Sequence, residues 1–301
     1  MTDDRTIVCR DLTKYYGHIR GVEGLDLAIE PGEIFGFLGP NGAGKTTTIR
    51  QLMGMLRPTR GSASILGLDS WRDAVQIKLH VGNIPGDVHL YDRLKVGDHL
   101  DYIDRFRPGT DPLRNELMDR FELDPGKKVK SLSSGNRQKV AIVMAIMHDP
   151  RILILDEPTS GLDPLMQQEF YTLLEELRER GRTIFLSSHI LSEVERVCDR
   201  VGIVRDGRLV DTRAIEELKQ KKVRHMDVLF RDDVDPSGFQ ALPQVIAVKV
   251  FDNHMRITIQ GDVDALIKQL ARHDIEDLTF TQPSLEDFFM SFYGAAESHN
   301  E

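Results

Sequence analysis

A glycine-rich segment near the N-terminus could hold the phosphates of a nucleotide. The glycines would let backbone N–H groups turn toward phosphate oxygens, and a following helix would add partial positive charge. We expect Lys45 to reach the β- and γ-phosphates of a nucleoside triphosphate and the Thr46 hydroxyl to bind Mg²⁺, but this loop alone does not distinguish kinases, GTPases, motors and transport ATPases. The alternative is a strand–helix turn without a ligand, which the complete motif disfavours. The segment matches the pattern G-x-x-x-x-G-K-[ST] with Gly39, Pro40, Asn41, Gly42, Ala43, Gly44, Lys45 and Thr46.

Two carboxylates, Asp156 and Glu157, directly follow the apolar residues 152–155. Such an apolar run predicts a strand covered on both faces. Acids at the end of a buried strand are poorly explained as a solvated surface pair. We expect Asp156 to reach Mg²⁺, usually through water, and Glu157 to orient and deprotonate the attacking water.

Further motifs follow in a fixed order. They are residues 132–136 (LSSGN), residues 159–163 (TSGLD) and residues 187–189 (SSH), with Tyr16 ahead of the glycine-rich loop. Together with the first two motifs, they resemble the signature sequence, the D-loop, the switch histidine and the adenine-stacking aromatic of ATP-binding-cassette (ABC) ATPases. The resemblance covers about residues 5–215.

The resemblance implies that two copies meet head to tail, with each ATP between one phosphate-binding loop and the partner's signature sequence. Ser133 and Gly135 would then contact the γ-phosphate bound to the other copy, and Ser133 can also be a plain helix N-cap. His189 would contact the γ-phosphate and hold Glu157 and the water in place. The nucleotide-binding residues that the resemblance adds to the loop are Tyr16, Thr47, Ser133, Gly135 and Asp163.

The sequence departs from the family pattern at two places. The signature has Ser134 where glycine is usual and ends in Asn136 rather than glutamine. Where the family has a glutamine that touches Mg²⁺ and faces the membrane partner, this chain has Gly86, followed by Asp87. Either Asp87 substitutes at the metal or Mg²⁺ keeps a water there. Alternatively, Asp87 could pair with a basic residue of the membrane partner.

The apolar runs predict the elements that position these residues. Residues 34–38, 152–155, 183–186 and 201–204 are expected to be buried strands. Residues 11–30 predict short antiparallel strands with turns at Gly17, Gly21 and Gly24, and residues 97–107 and 112–121 predict two helices. The expected fold class is α/β: a P-loop NTPase of ABC type, with a mixed sheet core, an antiparallel β flank and a helical insert at about 86–150.

The hydrophobic rhythm changes after the charged residues 216–222. Alternating apolar residues and one amphipathic helix predict the order β-α-β-β-α-β, with a hairpin turn at Asp252 and Asn253. We therefore predict an ABC ATP-binding domain at 1–220 and a small α+β accessory or regulatory domain at 221–301. A final helix after Pro283 would bury one face, with Leu285, Phe288, Phe289 and Phe292.

Composition narrows the function classes. The chain has 301 residues, a net charge of −9 and two cysteines, Cys9 and Cys198. An acidic chain disfavours broad nucleic-acid binding, and two cysteines exclude a disulfide framework and a cysteine-based zinc cluster. The apolar run at 140–147 is far shorter than the ~20 residues of a membrane span. The first residues do not resemble a secretory signal. We therefore expect a cytoplasmic protein.

The resemblance extends to one subgroup. Residues 133–164 and 283–288 are similar to ATPase subunits of ABC-2-type exporters, the daunorubicin-resistance-like efflux group. This implies an ATPase on the cytoplasmic side of the cell membrane that drives a separate ABC-2-type permease to export a drug, an antibiotic or a lipid-like substrate. The alternative is a soluble ABC ATPase that acts on ribosomes or DNA, but such proteins usually carry two cassettes or a coiled coil. A non-hydrolysing regulatory module is disfavoured by Glu157 and His189.

Overall fold

The computed structural model describes residues 5–106, 112–220 and 223–281. Its backbone contacts divide the chain into two units, Met1–Ile215 and Glu216–Glu301. The predicted helix after Pro283 and its aromatic face lie outside the described residues. Within the described ranges, no helix combines the length and the apolar composition that crossing a membrane requires.

A six-stranded sheet forms the centre of the first unit, in the order β10-β9-β3-β8-β7-β6. Strands β6 to β9 and β3 run parallel, and β10 pairs antiparallel at the edge. Every residue of β3, β7 and β8 is buried, as the continuous apolar runs predict. The strands are β3 (Ile34–Leu38), β6 (Val81–Ile84), β7 (Ile152–Asp156), β8 (Thr183–Ser188), β9 (Arg200–Arg205) and β10 (Arg208–Ala214).

An antiparallel sheet of the order β2-β1-β4-β5 flanks this core. The predicted flank is present, but the predicted turns at Gly21 and Gly24 are wrong, because both residues lie inside the long strand β2. Gly21 serves a close approach instead: a Cβ there would lie 2.9 Å from Cε2 of Tyr16. The strands are β1 (Ile7–Tyr16), β2 (Ile19–Ile29), β4 (Arg60–Ile65) and β5 (Leu68–Asp69).

Helices connect and cover the strands of the first unit. Helix α1 begins at Lys45, directly after the glycine-rich loop, and α5 contains residues 140–146 of the apolar run, with Met147 as its C-cap. The two helices predicted at 97–107 and 112–121 are present as α3, which begins one residue earlier and ends three residues earlier, and α4, which is shorter at both ends. The helices are α1 (Lys45–Leu52), α2 (Ala74–His80), α3 (Val96–Asp104), α4 (Arg114–Arg120), α5 (Ser134–Ile146), α6 (Pro164–Glu179) and α7 (Leu191–Val197).

The second unit begins at the second residue of helix α8 (Ile215–Gln220), which spans most of the charged stretch. A four-stranded antiparallel sheet follows, in the order β12-β13-β11-β14. Two short helices pack their buried side chains, Phe239, Leu266 and Leu270, against one face of the sheet. The element order is the predicted β-α-β-β-α-β: β11 (Val223–Phe230), α9 (Ser237–Gln240), β12 (Val245–Phe251), β13 (His254–Gln260), α10 (Asp264–Leu270) and β14 (Ile275–Thr281).

Candidate nucleotide site

The glycine-rich loop joins β3 to α1 and folds around the ammonium group of Lys45. The Lys45 side chain is 5% exposed, and its Nζ donates hydrogen bonds to the carbonyl oxygens of Gly39 at 2.7 Å and Pro40 at 3.2 Å. Nζ also lies 3.4 Å from Oε1 of Glu157. The lysine charge is therefore held where the sequence predicts phosphate binding, beside the carboxylate predicted to be the base.

The carboxylate of Asp156 is fixed through both oxygens. Thr46 Oγ1 donates to Oδ2 at 2.8 Å, and the Ser187 hydroxyl donates to Oδ1. Asp156 is 1% exposed because it ends the buried strand β7. Hydroxyl and carboxylate oxygens are the hard ligands that Mg²⁺ prefers, so Thr46 and Asp156 fit the predicted metal site.

Gly86 lies against this carboxylate, whereas Asp87 does not. A Cβ at residue 86 would lie 2.9 Å from Oδ2 of Asp156. The side chain of Asp87 is 87% exposed, and its Oδ2 lies 3.3 Å from Nε2 of the equally exposed His89. The position that carries glutamine in the family thus faces the metal site here without a side chain.

Glu157 and His189 meet at the carboxyl ends of two neighbouring parallel strands, β7 and β8. Oε1 of Glu157 lies 3.2 Å from Nδ1 of His189. Glu157 has a left-handed backbone conformation with φ +49°, which is uncommon for a residue other than glycine. Its backbone N–H donates to the carbonyl oxygen of Ser187 at 3.2 Å, which ties the turn after β7 to β8.

A cavity of about 270 Å³ opens beside the loop. Tyr16 is 44% exposed there, and its hydroxyl lies 3.4 Å from Oγ1 of Thr47. Sequence reasoning missed Ile19, Arg20 and Gly21, although their place in the hairpin directly after Tyr16 was a usable signal. The lining residues are Tyr16, Ile19, Arg20, Gly21, Asn41, Gly42, Gly44, Lys45, Thr46, Thr47 and Glu157.

The signature and D-loop residues lie at helix N-termini. Ser133 caps α5 by accepting a hydrogen bond from the Asn136 N–H at 3.3 Å. Asp163 caps α6 by accepting from the Met166 N–H at 3.0 Å. Within the described chain, Ser133, Gly135 and Asp163 do not line the cavity of their own copy.

Two buried polar residues that the sequence did not identify as part of the site contact the turn after β7. Gln138 of α5 donates through Nε2 to the carbonyl oxygen of Pro158 at 2.6 Å. Glu193 of α7 is 5% exposed and accepts hydrogen bonds from hydroxyl groups in the turn after β7, in α6 and in β8. Gln138 lies within residues 133–164, whose resemblance to exporter ATPases gave no role to this side chain, whereas Glu193 belongs to none of the motifs.

Comparison with known proteins places the chain in a family. The family model described as "ABC transporter" matches residues 22–160. The bacitracin transport ATP-binding protein of Bacillus licheniformis is 33% identical over 94% of this chain and 96% of its own length. A daunorubicin resistance ATP-binding protein of Streptomyces coeruleorubidus is 32% identical over 97% of this chain and 96% of its own length.

Solved structures show the same fold. The structure of an ATP-binding subunit of an ABC transporter matches with a TM-score of 0.67 and 30% identity, over 71% of this chain and 92% of that one. A dimeric ATP-binding cassette in a post-hydrolysis state with ADP and Pi matches with a TM-score of 0.64 and 23% identity, over 69% of this chain and 98% of that one.

These matches confirm the resemblance and the α/β ABC-type fold predicted from the motifs. They favour a transport ATPase over the alternative of a soluble ABC protein that acts on ribosomes or DNA. The chain belongs to the ATP-binding proteins of ABC transporters, and its enzymatic activity is ATP hydrolysis coupled to transport.

Proposed function

We propose that this ATPase powers the export of a drug, an antibiotic or a lipid-like substrate through a separate ABC-2-type permease. The proposal is supported by relatives named for bacitracin transport and daunorubicin resistance, whose likeness covers at least 94% of this chain and so includes its second unit. The ATPase would act at the cytoplasmic face of the membrane. Residues 216–281 would form an accessory domain that braces or regulates the dimer.

The assembly we propose is a head-to-tail pair of chains. Ser133 and Gly135 lie at the N-terminus of α5, where free N–H groups and the helix dipole favour an anion. Neither residue is among those that line the cavity of its own chain in the described ranges. They would therefore serve the γ-phosphate bound by the partner, and Asp163 would lie at the same interface.

The single observation that carries the proposed chemistry is the position of Glu157 Oε1, within 3.4 Å of Lys45 Nζ and 3.2 Å of His189 Nδ1. In the proposed reaction, Glu157 takes a proton from the attacking water, and His189 holds the Glu157 carboxylate and the γ-phosphate. Lys45 balances the β- and γ-phosphate charge. Thr46 and Asp156 would hold Mg²⁺, which when bound neutralises charge that develops on the phosphates.

The substitution Glu157→Gln tests these roles. The amide keeps the shape of the side chain but cannot accept the proton, so hydrolysis should fall by about 10²–10⁴-fold. ATP should bind at least as tightly, because Lys45 no longer pairs with a carboxylate. Calorimetry and phosphate release measure the two quantities, with Glu175→Gln on α6 as the control. Hydrolysis at the unaltered rate would show that Glu157 is not the base.

Export itself requires the permease. When it is co-expressed with a multi-span ABC-2-type permease as its partner, the chain should raise the resistance of a sensitive bacterial host to the exported compound. The same pair carrying Glu157→Gln should not. Resistance that persists with Glu157→Gln would contradict a role for ATP hydrolysis in export.

A further inference from the structure

A buried carboxylate lies behind the proposed catalytic pair. Glu193 of α7 accepts hydrogen bonds on both of its oxygens. Thr159 and Tyr171 donate to Oε1, the latter at 3.1 Å, and Ser188 donates to Oε2 at 2.6 Å. A carboxylate that is 5% exposed with three hydroxyl donors is well satisfied, whereas a buried unpartnered one would be costly.

The two oxygens hold the two segments that carry the catalytic pair. Thr159 lies two residues after Glu157, in the turn that leaves β7. Ser188 is the last residue of β8 and directly precedes His189. One oxygen therefore anchors the Glu157 segment and the other anchors the His189 segment.

We propose that Glu193 is a positioning residue, whose carboxylate sets the spacing and orientation of Glu157 and His189 for hydrolysis. This inference rests on the proposed roles of that pair. Glu193 binds neither nucleotide nor water in this scheme; it acts through Thr159 and Ser188.

The positions of the Glu157 and His189 side chains depend on hydrogen bonds that hold the neighbouring backbone in place. His189 is 46% exposed, so packing alone does not fix its ring. Glu157 occupies a left-handed backbone conformation, which persists only when the surroundings over-determine it. The hydrogen bond from the Thr159 hydroxyl to Glu193 ties that turn to α7.

Tyr171 of α6 fixes the carboxylate itself. Burial, followed by the charge of Glu193, raises the pKa of the Tyr171 hydroxyl, so this group stays protonated and remains a donor. The guanidinium of Arg196 lies 5.0 Å from the centre of the Tyr171 ring. Glu193 is thus held from α6 while it contacts the two segments that follow β7 and end β8.

The test compares Glu193→Gln with Glu195→Gln, a control on the same helix whose side chain is half-buried. Glutamine keeps the volume but turns an NH₂ group toward hydroxyl donors. We expect kcat for ATP to fall by about 10- to 100-fold in Glu193→Gln, as a misplaced reacting group does, with KM changed less than about twofold. Glu195→Gln should change neither.

A double-mutant cycle separates positioning from packing. If Glu193 acts through Ser188, then Ser188→Ala should lower kcat in the natural chain but have little further effect in Glu193→Gln. A lower melting temperature with kcat unchanged would overturn the inference and leave Glu193 a packing residue. Additive losses from the two substitutions would also overturn it.

Two further results keep the test decisive. If Glu193→Gln does not fold, Thr159→Val and Ser188→Ala each remove the hydroxyl that donates to one Glu193 oxygen, and Ser188→Ala also removes the acceptor of the Ile190 N–H. The same loss of kcat at constant KM is expected from each, and unchanged kcat in both would overturn the inference. If Glu157→Gln hydrolyses ATP normally, the proposed roles of the pair fail. If Glu157→Gln is inactive and Glu193→Gln is fully active, only the inference about Glu193 fails.

Discussion

Gly86 lies so close to Asp156 that any side chain at residue 86 would meet its carboxylate. The distance from a Cβ at residue 86 to Oδ2 of Asp156 would be 2.9 Å, and that oxygen already accepts the hydrogen bond from Thr46. The absence of a side chain at residue 86 therefore leaves room for the Asp156 carboxylate beside the main chain.

Restoring the family residue with Gly86→Gln should therefore impair the site. The new Cβ would push the carboxylate of Asp156 away from Thr46, and we expect ATPase activity to fall by about 10-fold or more. Gly86→Ala is the matched control, because it adds the Cβ without the amide. Similar losses in both variants would identify crowding as the cause. Higher activity in Gly86→Gln alone would show that the chain accepts a glutamine metal contact.

Asp87→Asn separates the two roles open to that residue. Its exposed carboxylate beside His89 favours a contact with the permease over a contact with Mg²⁺. We expect the ATPase activity of the isolated chain to stay within about twofold, as for other exposed side chains, while transport by the complete transporter falls. Loss of Mg²⁺-dependent activity in the isolated chain would instead assign Asp87 to the metal.

Lys45→Ala should weaken ATP binding strongly. A charge-assisted hydrogen bond contributes about 1.5–3 kcal/mol, so we expect the Kd to rise by roughly 10- to 150-fold. Isothermal titration calorimetry measures this directly. Lys130→Ala, which removes an exposed ammonium group elsewhere, is the control. ATP affinity near that of the natural chain would contradict the assigned role of the glycine-rich loop.

Both cysteines should resist thiol reagents in the folded protein. Burial, followed by the neighbouring Asp26 carboxylate, raises the pKa of Cys9 to about 12, and burial raises the pKa of Cys198 well above its usual value. The thiolate is the reactive form, so at pH 8 only about one Cys9 in 10⁴ would be reactive. Reaction with Ellman's reagent should be slow in buffer and rapid in guanidinium chloride. Rapid reaction of two thiols in buffer would contradict this burial.

The motif residues could be predicted because they follow buried strands. The carboxyl ends of parallel neighbours meet at one edge of a sheet, so Asp156, Glu157 and His189 had to lie near the loop after β3. The continuous apolar runs made those strands recognisable. The order of the motifs along the chain and the apolar runs that precede them were together sufficient to predict where these residues lie at the centre of the first unit.

Residues that act through tertiary packing could not be predicted in this way. Glu193 stands one position before Val194 and two before the half-buried Glu195, in a stretch typical of any amphipathic helix. Its burial depends on how α7 packs between α6 and β8, which no local pattern encodes. Gly21 was misread for a related reason: glycine marks turns and close approaches alike, and only the Tyr16 ring distinguishes the two.

Helix α5 belongs to two reaction centres at once in the proposed dimer. Its N-terminus, capped by Ser133, faces the partner's nucleotide. Little more than one turn further along, Gln138 donates a hydrogen bond to the carbonyl oxygen of Pro158, the residue after Glu157 of its own chain. A helix moves largely as a rigid body. A displacement of the α5 N-terminus at the partner's γ-phosphate would therefore also move Gln138 and the turn that carries Glu157 of its own chain. Turnover should accordingly be cooperative in ATP concentration, and removing the Gln138 amide should make the saturation curve hyperbolic.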